Sequence, residues 1–166
     1  MHILKDTSGL SKAATYQELN EQLVGLFTGE RDGLANTANM AAAIYHMLPD
    51  LNWAGFYFLR NGELVLGPFQ GKVACVRIAL ARGVCGTSAR KRETVIVPDV
   101  EAFPGHIACD HASRSEIVIP LIVADRLLGV LDLDSPSLAR FDHEDAQGLE
   151  AAVRALIAHS DLDWLS

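Results

Sequence analysis

The stretch SEIVIPLIVADRLLGVLDLDS, residues 115–135, decides the fold. Ser115–Val123 and Leu127–Ser135 are two β-favouring runs, and the polar Ala124-Asp125-Arg126 between them reads as a hairpin loop. Side chains alternate across a strand. Asp132 and Asp134 therefore share a face with Leu128 and Val130, while Leu131 and Leu133 point the other way. A three-residue loop sets Val123 opposite Leu127 and brings Glu116 opposite Asp134. Like charges directly opposite each other destabilise a sheet. A chain tolerates them when they hold a cation or when one keeps its proton. The competing reading is a solvated face with ordinary surface acids. A two-residue loop would turn Glu116 to the other face and remove the pairing.

Outward from this hairpin, the period of the apolar residues alternates between helix and strand. Leu19, Leu23, Leu26 and Phe27 fall on one helical face, which predicts a helix over 12–27. Asp32 caps a second helix carrying Leu34, Ala38, Ala41, Ile44, Tyr45 and Leu48, ended by Pro49. Leu51–Leu59 is aromatic and β-favouring, and Asn61-Gly62 is a two-residue hairpin turn returning into Glu63–Phe69. Val73–Ala79 is a third strand, a short helix begins near Val84–Cys85, and Thr94–Val97 is a strand stopped by Pro98. Residues 99–113 form a long irregular loop, a length that favours function. Phe141-Asp142 staples and caps a last helix reaching His159. The expected fold is α+β, with a central antiparallel six-stranded sheet and the N- and C-terminal helices packed on one face.

With 166 residues, 49% hydrophobic and 21% charged, the chain suits a single domain over 1–166 with a proper core. The net charge of −7 leaves no basic stripe, which excludes nucleic acid and anionic membranes as expected partners. The N-terminal stretch reads as neither signal peptide nor membrane span. The expected compartment is cytoplasmic and reducing, where three cysteines fit redox turnover or metal binding better than a disulfide framework.

Cys75, Cys85 and Cys109 all lie in turn-like, polar or glycine-flanked settings. Cys85 stands where a helix begins, so the helix dipole favours its thiolate. Cys109 lies on the long loop beside His106, Asp110 and His111. On local physics either is a candidate nucleophile, and Cys75 reads as an ordinary strand residue. A metal site built from His106, Cys109, Asp110 and His111 is the rival, but H-x-x-C-x-H is not a usual zinc spacing and no CxxC is present. P-loop, GxSxG and dinucleotide GxGxxG motifs are also absent. No metal and no cofactor are expected. His2, His46, His143 and His159 read as solvent-facing. Trp53 and Tyr57 share a strand face, either as core aromatics or as an apolar wall for a methyl-bearing ligand with a phenol for a polar contact.

The segments LNWAGFYF, LGPFQGKVAC, GVCGTSA, VPDVEAFPGHIACD, SRSEIVIPL and GVLDLDSP resemble the free methionine-(R)-sulfoxide reductases, a GAF-domain family, from about Leu51 to Pro136. The resemblance implies a GAF fold and a thiol-dependent reductase of free L-methionine (R)-sulfoxide. It assigns Cys109 as nucleophile, Cys75 as the usual resolving cysteine and Cys85 as a second thiol able to pair with the nucleophile. Glu116, Asp132 and Asp134 take the part of substrate-binding and catalytic acids, and Trp53 and Tyr57 that of pocket aromatics. It further implies a Cys109 sulfenic acid, an intramolecular disulfide and recycling by thioredoxin, and it makes a homodimer the expected assembly. Ala79, Ala81, Glu101, His111 and Arg114 depart from the family pattern beside the site. A GAF sensory module that binds a small ligand without turnover is the alternative of another class.

Overall fold

The computed structural model describes residues 3–106 and 110–163. The elements are α1 (Lys12–Phe27), α2 (Gly33–Met47), β1 (Trp53–Arg60), β2 (Glu63–Gly71), β3 (Arg77–Ala79), α3 (Gly83–Lys91), β4 (Val95–Val97), β5 (Ser115–Val123), β6 (Arg126–Ser135) and α4 (His143–His159). A short 3-10 turn, Val100–Ala102, interrupts the long loop. The strands form one sheet in the order β3-β2-β1-β6-β5-β4, and every neighbouring pair is antiparallel.

The helix starts follow from their caps. Ser11, Asp32 and Asp142 each accept from backbone amides of the first turn, satisfying donors that the helix leaves open. Asp145 returns the favour to the Asp142 amide, completing a capping box. The same buried carboxylate accepts from Tyr16 Oη at 2.8 Å, Lys12 Nζ at 2.7 Å and Arg140 Nη1 at 2.9 Å. Desolvation alone would make a fully buried Asp145 costly, and these donors offset it while tying α1 to α4. The apolar faces of α1, α2 and α4 bury Leu19, Leu23, Phe27, Ile44, Leu149 and Leu156 against Phe56, Ile117 and Leu131 of the sheet. At about 1.5–3 kcal/mol for each large buried side chain, this layer dominates stability. The opposite face is covered by α3 and by connecting segments, with Val84, Cys85 and Ala89 set against Tyr57, Val118 and Val130.

The β5–β6 hairpin reaches its expected pairing by an unexpected route. Its turn is two residues, Ala124-Asp125, both at positive φ (46° and 62°), with Val123 opposite Arg126. A bulge between Leu121 and Ile122 then skips Leu128: Ile122 pairs with Leu127 and Leu121 with Gly129. The extra residue restores the parity that a three-residue loop would have supplied, so Glu116 does pair with Asp134. Leu128 consequently joins the helix-side core with Leu131 and Leu133 instead of sharing the face of the acids. The third strand is shorter than the expected Val73–Ala79, because Val73 and Val76 are exposed and pairing begins only at Arg77.

Gly148 of α4 packs where an added Cβ would overlap the Tyr16 ring, and that ring is held by its bond to Asp145. Gly148→Ala is expected to lower the unfolding free energy by about 1–3 kcal/mol in urea titrations. An unchanged midpoint would show slack between α1 and α4.

Candidate active site

On the sheet face away from the terminal helices lies a small cavity of about 40 Å³. Its walls include Trp53 and Tyr57 of β1, Cys85 of α3, His106 and Asp110 of the long loop, and Glu116, Asp132 and Asp134 of the hairpin. Strand pairing sets this geometry. Asp134 stands across from both Trp53 and Glu116, and Asp132 stands across from Gly55 and Val118. The missing Cβ of Gly55 leaves room for the Trp53 indole, which stacks on Tyr57 at 5.9 Å and on Phe69 at 5.4 Å. Trp53 Nε1 donates to the Lys72 carbonyl at 3.1 Å, so the ring is fixed as an apolar wall.

Two of the acids are buried and Asp134 is half-buried. Glu116 and Asp132 are each 6% exposed. Burial pushes the Glu116 carboxyl well above the usual carboxylate range, and Asp134 pushes it further. Asp132 rises through burial and then the charge of Glu116, and Asp134 through burial and then the charge of Asp132. Ser113 donates to Asp134 and partly opposes that shift. Such a cluster favours the protonated form, because an ionised carboxyl here would lose water and meet a like charge. Asp132 Oδ1 is buried with no hydrogen-bond partner among the described residues.

Cys85 carries a free, buried thiol whose Sγ lies 3.9 Å from Glu116 Oε1. Its position in the first turn of α3 suggested a thiolate. Instead burial, followed by the charges of Asp132 and Glu116, drives its pKa well up. A partial charge at a helix start does not offset desolvation beside three carboxyl groups. His106 Nε2 lies 3.5 Å from Glu116 Oε2, and burial lowers its pKa, favouring the neutral imidazole. The Tyr57 phenol donates to the Cys75 carbonyl at 3.0 Å, so it anchors the segment after β2, and the residue also lines the cavity. Cys75 is half-buried against the apolar cluster of this face. Cys109 lies outside the described residues, bounded by His106 and Asp110, both of which line the cavity.

The expected rival ligand set is not gathered among its described members. His106 turns to Glu116, whereas Asp110 accepts from Asn52 Nδ2 at 3.3 Å, from Lys72 Nζ at 3.3 Å and from the Ala112 amide at 2.9 Å. Those donors, the Ala112 amide foremost, hold Asp110 below the usual carboxylate range. His111 is exposed. Sequence reasoning missed Asn52, Lys72, Ser113 and Arg82, which join or line the site. Asn52 immediately before the aromatic strand, at its mouth, was the one available signal.

The raised pKa of Glu116 has a signed consequence. A carboxyl whose pKa is higher in the folded than in the unfolded state stabilises fully below the unfolded value, about 4.3, and that contribution is lost as pH rises toward the folded value. Glu116→Gln is therefore expected to gain thermal stability relative to the unsubstituted protein as pH increases from about 4 upward. A difference in melting temperature that stays flat with pH would contradict a protonated Glu116.

A profile of the GAF domain family matches residues 13–158. The chain is 51% identical over 147 residues to the free methionine-R-sulfoxide reductase of Escherichia coli strain K12, covering 89% of each chain. It superposes with a TM-score of 0.92 on the free methionine-R-sulfoxide reductase of Neisseria meningitidis solved with its substrate, at 45% identity, covering 96% of this chain and 95% of that one. A candidate GAF sensor protein of Burkholderia vietnamiensis is 60% identical with a TM-score of 0.88, covering 90% and 96%. With the fold, the buried acids and these likenesses together, the chain belongs to the GAF-domain family, among the free methionine-R-sulfoxide reductases.

Proposed function

We propose that the chain reduces free L-methionine (R)-sulfoxide with Cys109 as nucleophile, in the reducing cytosol, as a homodimer recycled by thioredoxin. The observation that carries this reading is the buried acid cluster of Glu116, Asp132 and Asp134, which faces the same cavity as Trp53 and as both residues bounding 107–109. Carboxyl groups suit the substrate ammonium, and the Trp53 wall suits the ε-methyl. The small cavity favours a free amino acid over a methionine held in a peptide.

In the proposed cycle the Cys109 thiolate attacks the sulfoxide sulfur while Glu116, backed by Asp134, gives its proton to the oxygen. The S–O bond breaks, the oxygen passes as hydroxyl to the Cys109 sulfur as the new Cys109–sulfur bond cleaves, methionine leaves reduced by two electrons, and Cys109 becomes a sulfenic acid. The Cys75 thiol condenses with it, expelling water and forming a disulfide, which the thioredoxin dithiol reduces by exchange. Cys85, kept as a thiol by its surroundings, serves as reserve partner and hydrogen-bonds the acids.

The test is NADPH consumption coupled through thioredoxin and its reductase, with separated R and S epimers of free methionine sulfoxide. Turnover is expected with R alone. Cys109→Ser is expected to abolish it, and Glu116→Gln to lower kcat by roughly 10²–10⁴-fold. Cys75→Ser is expected to release one equivalent of methionine and then stall. Steady-state rates untouched by Cys75→Ser would move the resolving role to Cys85. Activity surviving Cys109→Ser would overturn the assignment. Tight binding of a cyclic nucleotide with no turnover would favour a sensory module.

A further inference from the structure

Cys85 Sγ and carboxylate oxygens of Glu116 and Asp132 lie within 4.8 Å of one another, and all three residues are buried. Asp132 Oδ1, on a side chain 6% exposed, has no hydrogen-bond partner among the described residues. A buried acceptor without a donor is an open coordination valence. His106 Nε2 stands 3.5 Å from Glu116 Oε2 but lies outside this group of three. Sulfur and carboxylate oxygen are donor types that zinc takes, with bonds of about 2.0–2.3 Å. Tetrahedral bonds of that length set neighbouring donors roughly 3.3–3.8 Å apart. The three buried donors need to close by only about 1 Å to meet that requirement.

We propose that Cys85, Glu116 and Asp132 form an inhibitory site for a borderline-soft divalent cation such as Zn²⁺, with solvent completing its coordination. The cation sits where the cavity's acids otherwise face a ligand, so metal and ammonium-bearing substrate exclude each other. Binding expels to solvent the Cys85 proton and whatever protons Glu116 and Asp132 hold, and the shared cation then offsets the charge of the deprotonated ligands. A cation at this place is not needed for turnover; it opposes it. Hard cations such as Mg²⁺ gain nothing from the sulfur and are not held. Only the competition with substrate rests on the proposed reductase activity, and the metal site itself stands apart from it.

The experiment uses the full chain carrying Cys75→Ser and Cys109→Ser, so that Cys85 is its sole thiol and turnover plays no part. Co²⁺ is titrated as a spectroscopic probe and Zn²⁺ affinity is measured by calorimetry, with a phosphine reductant that does not chelate. One equivalent of Co²⁺ is expected to produce a thiolate-to-metal charge-transfer band and the visible bands of a tetrahedral ion. Adding Cys85→Ser is expected to abolish the charge-transfer band, and adding Asp132→Asn to weaken Zn²⁺ binding by roughly tenfold or more. In the unsubstituted protein, Zn²⁺ is expected to raise the apparent KM for the sulfoxide, with full recovery on adding a chelator. No charge-transfer band in the two-serine protein would overturn the site, as would a band that persists after Cys85→Ser or Zn²⁺ affinity indifferent to Asp132→Asn. Loss of reductase activity in the unsubstituted protein with the band intact would fault the functional reading and leave the metal site standing.

Discussion

One unpaired residue, Leu128, governs the chemistry of this molecule. The β5–β6 turn has two residues, and a regular ladder from it would aim Glu116 at the helix-side core. The bulge at Leu128 flips that parity and puts Glu116, Asp132 and Asp134 on the cavity face. Three carboxyl groups gathered there cannot all ionise, since each loses water and meets its neighbours' charge. The local twist of one strand thus becomes a store of protons.

The two faces of the sheet divide the work. Leu19, Phe27, Ile44 and Leu149 pack the helix side densely and hold the sheet rigid. That rigidity lets the other side keep an Asp132 oxygen with no partner among the described residues, a thiol against carboxyl groups and an indole aligned by Gly55. Polar groups so poorly matched would destabilise a domain that lacked the first layer. Asp110 marks the contrast: bonded by Asn52, Lys72 and its own turn, it has a lowered pKa beside acids whose pKa values are raised.

Much of this was legible before any coordinates. Helix α1 occupies the expected residues, Asp32 and Asp142 cap as their residue type implies, and Asn61-Gly62 turns β1 into β2. Local rules sufficed because those features are set within a few residues. The Glu116–Asp134 pairing was reached from a three-residue loop, whereas the chain uses a two-residue turn and a bulge. Nothing in Ala124-Asp125 signals positive φ as Asn-Gly does, and no local pattern announces Leu128 as the skipped residue. The ionisation of Cys85 was misjudged for a related reason: its helix position is local, but its carboxyl neighbours arrive from β5 and β6. The contacts of Asp110 with Asn52 and Lys72 likewise join separated segments of the chain.

The central claim is that burial keeps at least one carboxyl of this cluster protonated in neutral solution. Infrared difference spectroscopy in the carboxylic-acid C=O region, with and without Glu116→Gln and Asp134→Asn, tests it directly. A protonated-carboxyl band at neutral pH, lost or shifted in those variants, is expected. A spectrum with only ionised carboxylates at neutral pH, unchanged by either substitution, would contradict the account.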